Sequence, residues 1–236
     1  MSELNLVSVF KDTLEISTDI PPGITNKHSI QEIIKPVGDE VTNVSVDNLD
    51  TVSAIQKWSI LGKTCALNMA SPKKPGGGVR NGARAQEECL FRCSNLITSI
   101  SKDLYPLSDF DCLYTTKSTF FKDKDYKHID KLNCDVITIA AKNLSNSQIE
   151  NDYESITKDK IRLMLSLPYL HGVDNLILGS WGCGVFNNDP NEIAQYFKSI
   201  IFDENYGSLY KNIIFAVIND HNSVDNNYKI FRDILC

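Results

Sequence analysis

The 236-residue chain lacks the features of a membrane protein, since none of its apolar runs approaches the roughly 18 residues that a membrane-spanning helix needs. Its first residues, MSELNLVSVFKDTLEIS, contain no basic stretch followed by an apolar one, so we expect no secretory signal peptide. Basic residues are in the minority, with 24 Lys and Arg against 30 Asp and Glu. The net charge of -6 disfavours a polyanion-binding surface over the whole molecule but is compatible with a local phosphate pocket.

The seven cysteines include no C-x-x-C pair, and most of them lie in apolar runs. This pattern favours buried, reduced thiols, so we expect an intracellular protein, located in the cytoplasm or the nucleus. The motifs H-x-x-x-H and H-E-x-x-H and the usual Cys–His zinc spacings are also missing. We therefore expect neither a metal ion nor another cofactor.

What the chain does contain is an alternation of helical and strand-like segments. The predicted helices are VSVFKDTLEIS, DNLDTVSAIQKW, a segment that begins at Gln86, YESITKDKIRLMLSL, which ends near Pro168, and NEIAQYFKSII. The predicted strands are HSIQEII, VTNVSV, KTCALNM, DCLYTT, CDVITIAA, NLILGSW and NIIFAVI, of which the last three are nearly continuous apolar runs. This order predicts a single α/β domain with a mixed sheet between helical layers.

Two of these helices have clear sequence signals. Apolar residues recur at helical spacing after Gln86, which predicts one amphipathic helix that continues to Ile100. Asp189 suits an N-cap, Pro190 suits the first helical turn, and Glu192 completes a capping-box pattern.

The segment ASPKKPGGGVRNGARAQEE, residues 70–88, joins a predicted strand to a helix and contains Gly76, Gly77 and Gly78. An isolated triple glycine usually forms a flexible turn, but it also lets a ligand approach the backbone N–H groups. Glu87 and Glu88 could simply oppose the helix dipole. Because adjacent helical residues project about 100° apart, we expect at least one of them to lean towards the glycine loop and the other to face elsewhere along the rim of that loop.

A second glycine-rich loop, GSWGCGVFNNDP, lies between an apolar strand and the helix start at Asp189. Such a turn offers free backbone N–H groups to a phosphate, although the loop matches neither the Walker A nor the dinucleotide-binding pattern. A diphosphate cradle and a purely structural turn are both open interpretations. Cys183 has no histidine near it in sequence, so a Cys–His mechanism is disfavoured.

The segment PGGGVRNGARAQEECLFRCSNL resembles the signature of the microbial-type poly(ADP-ribose) glycohydrolases, which combines a triple glycine, a short spacer and Gln-Glu-Glu. FKDTLEI, LNMASPKKP, LILGSWGCGVFNNDPNEIAQYF and IIFAVIND resemble other segments of that family in the same order, so the resemblance covers nearly the whole chain. It implies one macrodomain-type catalytic domain over residues 1–236, with residues 1 to about 60 integrated in it. The implied fold is a three-layer α/β/α fold with a mixed central sheet.

The resemblance also implies an activity. The substrate would be poly(ADP-ribose) or an ADP-ribosylated protein, the reaction would be hydrolysis of the ribose–ribose O-glycosidic bond, and the product would be ADP-ribose. We expect a monomer without a membrane partner. Two alternatives stay open, namely a hydrolase acting on mono-ADP-ribosylated protein or nucleic acid, and a non-catalytic ADP-ribose reader, which would not need to keep the Gln-Glu-Glu triplet.

Residue roles follow from the same resemblance. Glu88 would be the catalytic acid/base, and Glu87 would position the ribose beside the scissile bond. Gln86 would support this geometry, and Asn68 would hydrogen-bond that ribose. The other implied ligand-binding residues would wrap the reacting end (Gly76, Gly77 and Gly78), hold the diphosphate (Gly182, Cys183, Gly184 and Val185), pack against the distal ribose (Phe186) and bind the adenine amino group (Asp50).

The chain departs from the family pattern only outside this triplet. Met69 stands where phenylalanine is usual, Lys73 and Lys74 precede the glycines, and Ser180 replaces an alanine. The segment AAKN, residues 140–143, lacks the proline that is common there. These departures concern substrate detail rather than the chemistry.

Overall fold

The structure is a computed structural model that describes residues 4–38, 42–145, 151–219 and 226–236. Within these ranges the helices are α1 (Leu6–Thr18), α2 (Thr51–Trp58), α3 (Gln86–Cys93), α4 (Leu96–Ser99), α5 (Tyr153–Leu170), α6 (Pro190–Lys198) and α7 (Asn227–Leu235). The strands are β1 (Ile24–Ser29), β2 (Asn43–Asp47), β3 (Thr64–Met69), β4 (Asp111–Lys122), β5 (His128–Ile139), β6 (Asn175–Leu178) and β7 (Asn212–Ala216). None of the helices in the described part of the chain combines the length and the apolarity needed to cross a membrane.

The strands form one mixed sheet in the order β1-β4-β5-β3-β6-β7-β2. The five strands β5, β3, β6, β7 and β2 run parallel to one another, whereas β4 is antiparallel to both β5 and β1. Parallel strands end at the same edge of a sheet, and ligands of open α/β sheets bind at that edge. The two glycine-rich loops follow β3 and β6, which are neighbours, so the sheet brings the two loops together.

Each face of the sheet is covered by a hydrophobic core, because successive side chains of a strand point to opposite faces. Leu67 and Phe215 belong to the core packed under α5, α6 and α7. Ala66 and Ile214, their neighbours in sequence, belong to the core packed under α1 to α4. The predicted three-layer α/β/α architecture is therefore confirmed.

The predicted helix from Gln86 to Ile100 is wrong in one respect, because it is interrupted after Cys93. Ser94 is extended, with φ -145° and ψ 173°, and it forms an isolated β-bridge with Phe120. Asn95 then exchanges two hydrogen bonds with Thr119 of β4, at 3.1 Å and 2.8 Å. Pairing with a neighbouring strand thus overrides the helical periodicity and splits the segment into α3 and α4.

Other boundaries also differ from the predictions. β1 ends at Ser29, where the Glu32 carboxylate accepts a hydrogen bond from the Ser29 N–H and starts a 3-10 turn instead of a continued strand. β4 and β5 form a hairpin of 12 residues each, longer than the predicted strands, and α7 was not predicted. The N-cap at Asp189 is confirmed, since its carboxylate accepts a hydrogen bond from the Asn191 N–H at 2.8 Å.

Candidate active site

The triple glycine is closely packed against α3 rather than being a flexible turn. Gly76 and Gly77 have positive φ angles of 70° and 49°. A Cβ atom at Gly76 would lie 2.7 Å from the ring of Phe91, and one at Gly77 would lie 2.5 Å from Glu88 Oε1. The backbone of this loop therefore lies so close to α3 that there is no room for a Cβ atom, and only glycine fits.

Glu87 is almost completely buried, at 3% exposure, and it is fixed by three donors. Its carboxylate accepts hydrogen bonds from the N–H groups of Ser71 (2.7 Å) and Gly76 (3.2 Å) and from Asn68 Nδ2 (3.4 Å). Burial outweighs these donors and raises the pKa of Glu87 to about 8, and the charge of Glu88 acts in the same direction. The side chain thus tends to hold a proton at neutral pH.

This raised pKa makes stability pH-dependent in a direction that is unusual for a carboxylate. The folded protein keeps the Glu87 proton up to about pH 8, whereas the unfolded chain loses it near 4.5, so unfolding releases a proton between these values. We expect the thermal midpoint of the wild type to fall relative to Glu87→Gln as the pH rises through this window. For each pH unit, the free energy of unfolding of the wild type should fall by up to about 1.4 kcal/mol relative to that of Glu87→Gln. Melting curves of both proteins at several pH values measure this difference, and parallel curves would contradict the assignment.

Glu88 is 6% exposed and also contacts the glycine loop. Its Oε1 atom accepts a hydrogen bond from the Gly78 N–H at 2.8 Å, whereas Oε2 is buried and has no partner among the described residues. The expectation that at least one of the two glutamates leans towards the glycine loop is therefore met by both of them. The loop wraps around the first turn of α3, so both carboxylates reach it despite their different directions.

Gln86 and Asn68 connect the glutamates to the sheet. Gln86 Nε2 donates to the Leu67 carbonyl at 2.6 Å and to Thr51 Oγ1 at 3.1 Å, and Gln86 Oε1 accepts from the Met69 N–H at 2.9 Å. Asn68 is fully buried, and its Oδ1 atom has no hydrogen-bond partner in the described part of the chain. Two buried oxygens near the glycine loop, Asn68 Oδ1 and Glu88 Oε2, are thus left without a hydrogen-bond partner among the described residues.

The second glycine-rich loop is organised by Asn188, which the sequence did not single out. Asn188 Nδ2 donates to the carbonyls of Gly182 (3.0 Å), Lys142 (2.9 Å) and Phe186 (3.3 Å). Asn188 Oδ1 accepts a hydrogen bond from the Tyr153 hydroxyl at 2.7 Å. One buried carboxamide therefore fixes both ends of the Gly182–Phe186 segment. In the sequence, the turn-like NNDP motif is the one signal for this function of Asn188.

Cys183 lies in this loop as a buried thiol rather than as a nucleophile. Its Sγ atom is 3.6 Å from the Trp181 carbonyl, and burial raises the pKa of the thiol well above its usual range. A thiol that does not ionise is a poor nucleophile. In the part of the chain that the structure describes, no group of three His, Cys, Asp or Glu side chains is placed to hold a metal ion.

A cavity of about 630 Å³ opens at the carboxyl edge of the sheet. The predicted binding residues that line it are Asp50, Gln86, Gly182, Gly184, Val185 and Phe186. The predicted residues that do not line it are Asn68, Gly76, Gly77, Gly78, Glu87, Glu88 and Cys183. Gln86 and Met69, which line the cavity and are hydrogen-bonded to each other, connect its wall to the glutamates.

Asp50 has a structural function in addition to its place in the cavity wall. It is the N-cap of α2, where its carboxylate accepts hydrogen bonds from the N–H of Ser53 at 3.0 Å and from the hydroxyl of Ser53 at 2.6 Å. Val185, which also lines the cavity, is 61% exposed. The capped start of α2 and the second glycine-rich loop therefore both contribute to the cavity wall.

Comparison with known proteins agrees with this arrangement. The sequence pattern of the microbial-type PARG catalytic domain, where PARG is poly(ADP-ribose) glycohydrolase, matches residues 10–125. Over these residues, which are just under half of the chain, the sequence is similar to the microbial-type PARG family. The matched segment contains the glycine loop and the Gln-Glu-Glu triplet of the family, whereas the second loop lies outside it.

Solved structures extend the similarity to the whole chain. The crystal structure of PARG from Thermomonospora curvata has a TM-score of 0.86 and 22% identity over 97% of this chain and 98% of that one. PARG from Deinococcus radiodurans in complex with ADP-ribose has a TM-score of 0.78 and 23% identity over 100% of this chain and 98% of that one. A search among curated proteins found no match to this chain. The fold is thus that of the bacterial PARG structures, which is the predicted macrodomain-like fold.

Proposed function

We propose that this protein is a poly(ADP-ribose) glycohydrolase that cleaves ribose–ribose O-glycosidic bonds and releases ADP-ribose. The match of residues 10–125 to the catalytic domain of microbial-type PARG supports this activity. The observation that carries the proposal is the geometry of Glu88, which has one oxygen fixed by the Gly78 N–H and the other buried without a partner among the described residues. A carboxyl group held in this way has one oxygen free to transfer a proton.

Hydrolysis of a glycosidic bond needs a proton on the leaving oxygen while positive charge develops on the sugar. In the proposed mechanism Glu88, as the acid, donates its proton to the leaving ribose oxygen, and the C–O bond breaks. The Glu88 carboxylate then takes a proton from a water molecule, whose oxygen attacks the anomeric carbon. The reaction consumes one water molecule and restores the protonated Glu88, so no cofactor takes part.

The neighbouring polar residues would orient the ribose. Glu87 is held rigidly by its three donors, and Asn68 Oδ1 is buried with no partner in the described part of the chain. We assign to them hydrogen bonds to the ribose hydroxyls, with Gln86 fixing the start of α3 against β3. Such preorganisation lowers the entropic cost of bringing the anomeric carbon to Glu88.

The rest of ADP-ribose would occupy the cavity. The Gly182–Val185 segment lies between β6 and the start of α6, where backbone N–H groups and the helix dipole favour an anion, and we assign the diphosphate to it. Phe186 would pack against the distal ribose, and Asp50 would accept a hydrogen bond from the adenine amino group. The cavity, at about 630 Å³, is within the range of small-molecule and cofactor sites.

We further propose that the whole chain is one catalytic domain and that it is an intracellular monomer. In support of a single domain, β1 and β2 occupy the two edges of the same sheet as the strands of the site. In support of an intracellular location, all seven cysteines are free thiols. Size-exclusion chromatography with light scattering measures the oligomeric state.

Incubation of the wild-type protein with labelled poly(ADP-ribose) tests the function directly. We expect release of monomeric ADP-ribose, resolved from oligomers by chromatography. Parallel reactions with singly ADP-ribosylated protein and nucleic acid identify a mono-ADP-ribosyl hydrolase. Binding of ADP-ribose without turnover of any of these substrates would contradict the proposed activity.

The proposed diphosphate site makes a prediction for Asn188. In Asn188→Ala the Gly182–Phe186 segment loses the carboxamide that holds its two carbonyls, and a loosened loop must be ordered again on binding. We expect the Kd for ADP-ribose to rise about tenfold, which corresponds to about 1.4 kcal/mol. Isothermal titration calorimetry measures this change. The control is Asn191→Ala, because Asn191 is a nearby exposed asparagine whose side chain donates to Asp189 rather than to the Gly182–Phe186 segment. It should bind as the wild type does, and equal affinities of all three proteins would refute the assignment.

A further inference from the structure

Arg92 is a fully buried cation whose surroundings do not balance its charge. The side chain is 0% exposed, it has no ion pair within the described residues, and its Nε and Nη1 atoms have no hydrogen-bond partner there. Its guanidinium carbon lies 5.9 Å from the ring of Tyr126, which gives a weak cation–π contact. Burial of an unpaired charge opposes folding, so an apolar side chain of similar length would serve packing better at this position.

One hydrogen bond of the guanidinium leads to the glycine loop. Arg92 Nη2 donates to the carbonyl of Ala83 at 2.5 Å. The Ala83 N–H in turn donates to the carbonyl of Gly78 at 3.3 Å, and a Cβ atom at Gly78 would lie 2.8 Å from that of Ala83. Gly78 then donates its own N–H to Glu88.

These contacts close a ring, because Glu88 and Arg92 lie four residues apart on the same side of α3. Glu88 accepts a hydrogen bond from Gly78, the last of the three glycines. Arg92 donates a hydrogen bond to Ala83, in the spacer that joins these glycines to α3. Ala83 itself is exposed, so water could satisfy its carbonyl if the arginine were removed. The hydrogen bond to Arg92 is therefore not the only way in which this carbonyl can be satisfied.

We propose that Arg92 is a positioning residue for the acid/base Glu88. It anchors Ala83, which supports Gly78, and Gly78 fixes the orientation of the Glu88 carboxyl group. The inference rests on the proposed catalytic function of Glu88. It predicts that loss of the guanidinium lowers kcat while ADP-ribose binding at the second loop, which Arg92 does not contact, is retained.

The test compares Arg92→Met, Arg92→Lys and the wild type. In Arg92→Met we expect kcat on poly(ADP-ribose) to fall about 10- to 100-fold, the effect of a small displacement of a catalytic group, with an unchanged Kd for ADP-ribose and a thermal midpoint no lower than that of the wild type. Arg92→Lys keeps the charge and one donor and should have an intermediate kcat. Amide hydrogen exchange of Gly78 should be faster in Arg92→Met, because its bond to Glu88 is less well maintained.

Lys122→Met is the matched control, since Lys122 is also a fully buried cation. Its ammonium group has partners, Asp12 at 2.6 Å and Thr13 Oγ1 at 2.7 Å, and it does not contact the spacer. This variant should lose stability and keep the kcat of the folded protein, the reverse of the pattern expected for Arg92→Met.

Three results would overturn the proposal: wild-type kcat in Arg92→Met, a parallel loss of kcat and ADP-ribose affinity, or, if Arg92→Met does not fold, wild-type kcat in Arg92→Lys. A wild-type protein without glycohydrolase activity would instead refute the proposed function. The amide exchange rate of Gly78 can be measured without any turnover. It therefore tests whether Arg92 stabilises the position of Gly78 even if the protein is not a glycohydrolase.

Discussion

Glu88→Gln should abolish the release of ADP-ribose from poly(ADP-ribose) while ADP-ribose still binds. Glutamine has nearly the same shape, and its carbonyl oxygen can still accept the Gly78 N–H, so the glycine loop is retained. It cannot donate a proton to the leaving oxygen, and general acid–base catalysis typically contributes about 10²- to 10⁴-fold to a rate. Labelled polymer resolved by product length, together with calorimetry of ADP-ribose binding, measures both parts of the prediction.

Glu192→Gln is the matched control for this substitution. Glu192 is an exposed glutamate that, like Glu88, lies in the first turn of a helix, so the substitution makes the same change of side chain at a helix N-terminus other than that of α3. Its turnover should equal that of the wild type. Retained turnover in Glu88→Gln would remove Glu88 from the acid/base function, and a joint loss of turnover and binding would make its function structural.

Gly77→Ala should lower kcat by about 100-fold or more, although the substitution adds a single methyl group. The new Cβ atom would lie 2.5 Å from Glu88 Oε1 and 3.0 Å from Glu87 Oε2, so both carboxylates must move. A displacement of about 1 Å at a catalytic group can cost about 100-fold in rate. Steady-state kinetics on poly(ADP-ribose) measure the loss, and a crystal structure of the variant shows whether the glutamates have moved.

Gly172→Ala separates this clash from backbone strain. Gly172 has a φ angle of 70°, as unfavourable for alanine as that of Gly77, but a Cβ atom there would meet nothing within 4 Å. The strain alone should cost about 1–2 kcal/mol of stability and leave kcat unchanged. If both alanine variants lose the same stability and neither loses kcat, close packing of Gly77 against Glu88 does not matter for catalysis.

Much of the fold was predictable because its signals are local. Alternating apolar segments predicted the layers, and Asp189 with Pro190 predicted the start of α6. The break at Ser94 was not predictable from the periodicity around it, because it depends on pairing with Phe120, a residue far along the chain. Local sequence patterns do not contain such tertiary contacts.

In the candidate site, too, the local sequence motifs were predictable and the tertiary contacts were not. Gln86, Glu87 and Glu88 were recognised as a triplet next to glycines, and the family resemblance separated their functions. Their hydrogen-bond partners and the raised pKa of Glu87 were not predictable, because both arise from burial and from the path of the loop. The function of Asn188 was missed for the same reason, since three of its four partners are carbonyls and any sequence provides those.

The sheet order has a consequence for where this protein can be divided. β3, which leads into the glycine loop, is hydrogen-bonded to β5 on one side and to β6 on the other. Both neighbours lie beyond residue 125, the end of the segment that matches the family pattern. A fragment cut at that boundary would leave the backbone N–H and C=O groups on both sides of a buried strand without partners. The part of the chain by which the family is recognised is therefore not a part that can fold by itself.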